Sequence, residues 1–406
     1  MSQATSVPKS AFWIIFFVVF IDLLGFGIVF PFLPQYARLF EVSEWQIGLV
    51  LGSYSLMQFL FAPILGRWSD RVGRRPVLLV SMLGTALSFF VLAWAKSFWL
   101  FLIARCIDGI AGSNVATAQA YIADLSEPEK RTKHIGMWIG AAFGLGFAFG
   151  PGLGGLFQLF GDQVAPGFGV GFPFLAAGVL ALLNWGFALV RLPESIGLRQ
   201  GTHKLGSRTA SLPVLKNKLA GQMGILMLSY ALVILAFAQM EGTFTWLAVD
   251  HAHLSVLMVY GVFTYLGLVL AFVQGGLVRR LSGKVSDHGL ASSGCAIMAV
   301  GLMILPFSTQ LWVLLVGAGL LAFGHGFCHT ALISSISKEA DDTQQGETMG
   351  VTQSLASLSR FLGPLSAAWL YQTQGVVTAY WTAAMVMVLA LVLLHPGFKN
   401  AVKPVN

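Results

Sequence analysis

GRWSDRVGRRP, residues 66–76, holds five charges within eleven positions. Long apolar runs flank it, SYSLMQFLFAPIL (53–65) before and VLLVSMLGTALSFFVLAWA (77–95) after. The 406-residue chain is only 10% charged and 56% hydrophobic, with a mean hydropathy of +0.77. An average soluble domain is about 25% charged. So few charges cannot coat a globular surface of this size, and lipid must be the solvent for most of the chain. The charged stretch is then a loop between two membrane spans.

A helix needs about 20 mostly apolar residues to cross a hydrocarbon core about 30 Å thick. Twelve runs meet that need, near 12–36, 45–66, 77–95, 98–122, 134–160, 169–191, 219–248, 255–277, 288–306, 310–334, 345–372 and 377–396. Turn and charge signals separate them: EVSE, SDRVGRRP, EPEKRTK, RLPES, VRRLSGK and KEADDTQQ. The first run is expected to stay as a span, because it is too long for a signal peptide and carries Asp22 in its middle. With the N-terminus inside, only Arg38 and Lys96 lie in loops on the opposite side, and Arg105 and Arg360 lie within spans. Every other Lys and Arg falls in the remaining loops and the tails. That asymmetry orients both termini to the cytoplasm. It also accounts for the net charge of +7 without nucleic acid. Cys106, Cys295 and Cys328 sit in apolar segments with no CxxC pair, which argues against a disulfide framework or a zinc ribbon.

The expected fold class is an all-α membrane protein of twelve transmembrane helices in two six-helix bundles. Residues 192–218, polar, basic and rich in Gly and Ser, form the linker between residues 1–191 and 219–406. The halves echo each other. Gly66 opens the loop after span 2 and Gly276 opens GLVRRLSGK after span 8; Gly150-Pro151 sits late in span 5 and Gly363-Pro364 late in span 11. Duplicated six-span halves are a transporter layout, with the substrate path between them.

GRWSDRVGRRP resembles the G-xxx-D-R-x-G-R-R signature of the major facilitator superfamily, between its second and third helices. DLLGFGIVFPFLP (22–34) looks like the first-helix pattern of the drug:proton antiporter branch. RCIDGIAG (105–112) is similar to that branch's fourth-helix arginine motif, and GLGFAFGPGLGG (144–155) to its fifth-helix antiporter motif. YSLMQFLFAPILGRWSDRVGRRP (54–76) resembles the tetracycline-efflux group. Ser88 stands where that group carries an acidic residue, and spans 8 and 9 lack its buried His and Asp. Both departures point away from tetracycline itself.

The gate expected at this loop comprises Gly66, Asp70, Arg71, Gly73, Arg74 and Arg75. Gly66 would admit a close neighbouring helix. Asp70 would accept from an arginine or a helix N-terminus and latch the two halves while the site faces outward. The arginines suit carboxylates and lipid phosphates, and Gly73 suits a tight turn. In span 5, Gly146, Gly150, Pro151 and Gly155 lie in a small-residue face, with Gly144 among its members, that lets helices pack at close range. The resemblance adds that this motif accompanies export.

An ionisable group inside a span is costly and is a functional candidate by default. Asp22, Arg105, Asp108 and Glu241 form the proton-coupling set, with Arg105 as modulator of a carboxylate that loads and releases a proton. The same charges also read as a fixed Arg–Asp pair joining spans 1 and 4. Gln58, Asn114, Gln119, Gln239, His325, His329 and Arg360 are candidates to line a mostly apolar cavity. His325 and His329, four apart on span 10, also read as a metal-holding pair, but with no third ligand nearby; no resident metal is expected.

The leading reading is a proton-coupled exporter of a small amphipathic molecule, working by alternating access. It would need no cofactor beyond the proton motive force, would partner substrate, protons and lipid as a monomer, and would sit in a bacterial inner membrane. A uniporter or importer of a sugar or metabolite is the alternative, and a divalent-metal exporter a further one. No GxxxxGK[ST] stretch supports ATP drive, and no paired catalytic site or large loop supports an enzyme.

Overall fold

In hydrocarbon the backbone must satisfy its own hydrogen bonds, and an α-helix does so within one segment. The computed structural model is accordingly built of helices; it describes residues 9–126, 131–164, 168, 171–195, 221–281, 284–340 and 345–395. In chain order these are α1 Lys9–Val29, α2 Leu33–Arg38, α3 Glu44–Val72, α4 Arg74–Ala93, α5 Phe98–Ala111, α6 Asn114–Leu125, α7 Arg131–Val164 and α8 Phe172–Arg191. They continue as α9 Gly221–Trp246, α10 Val256–Phe272, α11 Val278–Leu281, α12 Asp287–Ile304, α13 Leu311–Glu339, α14 Gln345–Gln374 and α15 Val376–Leu394. Most of the linker expected at 192–218 lies outside the described residues.

Among the described residues, ten helical stretches are both long and apolar enough to cross a membrane. The other two expected spans are α7 and α14, of 34 and 30 residues. Both have the length, and in α14 Ser, Thr and Gln dilute the hydropathy. Several spans are interrupted. Pro31 lies within the short turn Phe30–Phe32 that separates α1 from α2, and Pro34 is the second residue of α2. The fourth span breaks at Gly112–Ser113 into α5 and α6. Helix starts follow ordinary capping chemistry: Ser97 caps α5, Ser255 caps α10 and Ser286 caps α12, each hydroxyl accepting a backbone N–H three residues on.

The described residues pack as two units. One falls within Met1–Pro31 and Met57–Ser207, the other within Phe32–Leu56 and Arg208–Asn406. In the first, α1 lies against α7 with almost no side chain between them. A Cβ placed on Gly150 would stand 2.7 Å from the Gly27 Cα, and one on Gly146 would stand 2.9 Å from the Leu23 Cβ. Gly144 does not share that contact, since a Cβ there meets no described atom within 4 Å. Aromatic rings of α1 and α7 close one end, with Trp138 stacked on Phe12 at 5.8 Å and edge-on to Trp13. Ile15, Val18, Met82, Tyr121 and Ile122 fill the core behind them.

The second unit repeats the device elsewhere. Gly294 and Gly301 of α12 meet Gly324 and Gly317 of α13, two residues seven apart on each helix. A Cβ on Gly301 would lie 2.7 Å from the Leu321 nitrogen, and one on Gly294 would lie 2.7 Å from the Gly324 oxygen. Pro364 of α14 packs on Gly242 of α9, and the first half of α3 packs on α14 through Gly48 and Gly52.

Candidate functional site

Three groups of polar side chains stand out, two in the first unit and one in the second. The first gathers at the break in the fourth span. Arg105 and Asp108, three apart on α5, share one helical face, and Arg105 Nη1 donates to Asp108 Oδ2 at 2.6 Å. Both are almost fully buried, at 1% and 2% exposure. Ser88 of α4 lies beside the same carboxylate, with its hydroxyl donating to the Thr85 oxygen at 2.8 Å. Asn114, at the start of α6, donates Nδ2 to Asp22 Oδ2 of α1 at 3.2 Å, and Asp22 lies within electrostatic range of Asp108. Where a helix stops, its last carbonyls lose their intrahelical partners. Gln58 of α3 meets one of them, donating Nε2 to the Gly112 oxygen at 2.9 Å.

The Arg–Asp pair is thus internal to one helix. It does not join spans 1 and 4; Asp22 and Asn114 do. Gln119, half-buried on α6, stands apart from this group.

The second group lies where α3 meets α4. Gly73 holds a backbone φ of +112°, a region L side chains rarely adopt. A Cβ there would also come within 2.5 Å of Glu194 Oε2. Glu194, just after α8, uses that space to cap α4 from outside, since its oxygens accept the Arg74, Arg75 and Ser195 backbone N–H groups at 2.9–3.1 Å. Arg74 is 2% exposed and spends its whole fork internally. Nε donates to Asp124 Oδ2 at 3.1 Å, Nη1 to Ser69 Oγ at 2.6 Å and Nη2 to Asp70 Oδ1 at 2.6 Å. Arg75 Nη2 donates to the Leu189 oxygen. Arg71 is exposed. The expected close neighbour at Gly66 is not seen, as a Cβ there meets no described atom within 4 Å.

The third group belongs to the second unit. Tyr230, Phe237 and Glu241 fall at i, i+7 and i+11 on α9, one stripe of a 3.6-residue helix. His325 and His329 face them from α13. His325 stacks on Phe237 with centroids 4.1 Å apart, and the Tyr230 hydroxyl pairs with His329 Nε2 at 3.1 Å. From α14, Arg360 donates to Ser357 Oγ at 3.2 Å, and Gln239 donates to Ser366 Oγ. The histidines' partners are therefore aromatic. Among the described residues no group of three or more His, Cys, Asp or Glu could hold a metal ion.

Sequence reasoning missed Glu194, which lies in the RLPES turn signal, Asp124, which no signal marked, and Asn184, which donates to the Val18 oxygen between α8 and α1. It also missed that Arg38 forms a two-point ion pair with Asp250, at 2.8 and 3.0 Å, over the Trp246 ring. Both partners follow the end of an apolar run, but their pairing has no local signal.

Bilayer-length apolar helices that keep ionisable side chains within them mark a multi-pass membrane protein with a functional site inside its spans. The Major Facilitator Superfamily model matches residues 15–286 and 280–401, and the chain belongs to that superfamily, whose members are transporters and not enzymes. Over 413 residues it is 33% identical to the tetracycline resistance protein, class E, of Escherichia coli, with 96% of each chain covered. It is 34% identical over 369 residues to the class C protein of Escherichia coli, covering 89% of this chain and 90% of that one. The crystal structure of the human organic anion transporter MFSD10 (TETRAN) aligns with a TM-score of 0.70 at 27% identity, covering 97% of this chain and 100% of the other. The resemblance carried by residues 22–34, 66–76, 105–112 and 144–155 thus holds across nearly the whole chain.

Proposed function

We propose that the chain is a proton-coupled exporter of small amphipathic organic molecules, working by alternating access as a monomer in a bacterial inner membrane with both termini cytoplasmic. The observation that carries this reading is the group at the break in the fourth span. Two carboxylates inside the spans, half-buried Asp22 and buried Asp108, stand within electrostatic range of each other, one held by an amide and one by Arg105. A carboxylate that shares a site with a like charge and an arginine changes its hold on a proton when either moves. The tetracycline resistance proteins that the chain resembles support export of an organic molecule. The proton motive force supplies the energy, with no cofactor.

The loop of residues 66–76 serves as the gate. Arg74, Asp124 and Glu194 are its fixed part, because each is spent on internal bonds. Asp70 is its movable part, because it is exposed and, among the described residues, tied only to Arg74, four residues on. Arg67 and Arg71, exposed beside it, meet lipid phosphates.

Vesicles holding the purified protein under an imposed pH gradient test the reading through substrate-induced proton flux. Asp22→Asn is expected to abolish coupled flux while leaving substrate binding in place. Unchanged proton coupling in that variant overturns the assignment. Asp70→Asn is expected to slow transport at equal protein levels, and an unchanged rate removes the latch.

A further inference from the structure

The second unit carries a pair of opposite charges that the first unit has no counterpart for. Glu241 of α9 and Arg360 of α14 lie in adjacent helices and interact electrostatically, yet no ion pair within 4.0 Å joins them. Arg360 makes one hydrogen bond, to Ser357, and the Glu241 carboxylate makes none among the described residues. Both side chains keep accessible surface. Their spacing follows from the helix contact. Gly363 packs on Ala238 and Gln239, and Pro364 packs on Gly242. Arg360, three residues before Gly363, therefore sits on the order of one helical turn, ~5 Å, below Glu241. Arg360 also points away from the face that carries the exposed Leu358 and Leu362, since two residues turn a helix by roughly 200°.

We infer that this stripe binds a dipolar substrate, an aromatic zwitterion whose acidic group docks on Arg360 and whose basic nitrogen docks on Glu241. The Tyr230 hydroxyl and His329 flank the acidic end. Phe237, one turn from Glu241 on the same face and stacked on His325, offers the flat surface for the ring system. Separated opposite charges inside a membrane are costly unless something completes them, and a zwitterion completes both at once. A planar guanidinium suits a carboxylate or sulfonate through two parallel bonds.

This assignment rests on the export reading and gives it a coupling rule. The substrate's ammonium group and a proton compete for one carboxylate, so each lowers the affinity of the other, which is the linkage an exchanger needs. A purely anionic substrate would feel no such competition at Glu241. The other titratable or charged groups on elements packed against α9 are Glu347, Arg360 and Tyr371 on α14, His325, Cys328, His329, Lys338 and Glu339 on α13, Tyr380 on α15, Tyr36 and Arg38 on α2, and Asp250 and His251 in the turn that follows α9. Of these, Arg360 is the one within electrostatic range of Glu241.

Three forms of one fluorescent scaffold test it: norfloxacin, a zwitterion at neutral pH; its ethyl ester, a cation; and its N-acetyl derivative, an anion. Affinity is read by fluorescence for the full-length protein in nanodiscs, without any gradient. Norfloxacin is expected to bind tighter than either derivative by about tenfold or more, the size of one charge-assisted contact. Arg360→Gln is expected to bring norfloxacin down to the ester and leave the ester unchanged. Glu241→Gln is expected to bring it down to the acetyl derivative and, for the ethyl ester, which has no carboxyl of its own to titrate, to remove the weakening of binding at acid pH. Arg360→Lys and Glu241→Asp, which keep the charges, should retain the preference and guard against a folding defect. Equal affinities for the three forms, tighter binding of a singly charged form, or no binding of any overturns the proposal. Loss of proton-driven export in vesicles with this preference intact sinks the export reading alone.

Discussion

Inside the spans the first unit closes an Arg–Asp pair where the second leaves Glu241 and Arg360 open, although the second closes Arg38 on Asp250 at a span end. Arg105 and Asp108 hold each other, and Arg74 spends its guanidinium on Asp70, Asp124 and Ser69. Glu241 and Arg360, by contrast, stand about a turn apart and meet no opposite charge directly. A closed pair is well suited to holding a local structure or a proton. An open pair is suited to a partner from outside. On the proposed reading, the contrast divides the labour of one transporter between its two units.

The largest test of that contrast is charge removal. Arg105→Ala strands a buried carboxylate and should cost about 3–5 kcal/mol, seen as a collapse of the thermal unfolding temperature in detergent. Arg360→Ala should shift it far less, because its side chain is partly accessible and bonded only to Ser357. Comparable losses at the two positions would erase the distinction.

Next come the glycine contacts, which both units use. Gly150→Leu and Gly324→Leu each force a side chain into a backbone contact, and should each cost about 1–3 kcal/mol or more. Gly144→Leu and Gly261→Leu, where a Cβ meets no described atom within 4 Å, serve as controls that should unfold near the parent temperature. Smaller again is Glu194→Ala, which uncaps α4 and should cost about 0.5–2 kcal/mol, read by amide exchange at the start of that helix. The smallest effect is expected at Arg38→Gln. The Arg38–Asp250 pair is partly exposed, at 27% and 36%, so a double-mutant cycle with Asp250→Asn should return about 0.2–1 kcal/mol. That coupling should shrink further in salt.

The helices and the family were legible because lipid imposes them. Hydropathy marked each run, and the spacing of Gly66, Asp70, Gly73 and the two arginines marked the loop. The need for glycine at Gly73 was legible as a turn, but its second cause, the Glu194 carboxylate beneath it, was not. Partners far apart in sequence leave no periodic signal, which is why the bonds of Asp124, Glu194 and Asp250 could not be read from it. Hydropathy also reports lipid and not neighbour. It could not show that Phe32–Leu56 packs with the second unit, or that Arg105 would turn to its own helix and leave Asp22 to Asn114. Gly66 and Gly144 illustrate the same limit, since small size permits a close approach and does not compel one.

The seam between α12 and α13 has a mechanical consequence. Gly294, Gly301, Gly317 and Gly324 bring two backbones together with little between them to compress or rotate. Such a seam behaves as a stiff plank, and shape change in that unit has to be absorbed where the winding is already loose. The wide turns at Leu247–His251 and Val273–Leu277, the latter with Gly275 and Gly276 inside it, are the natural hinges.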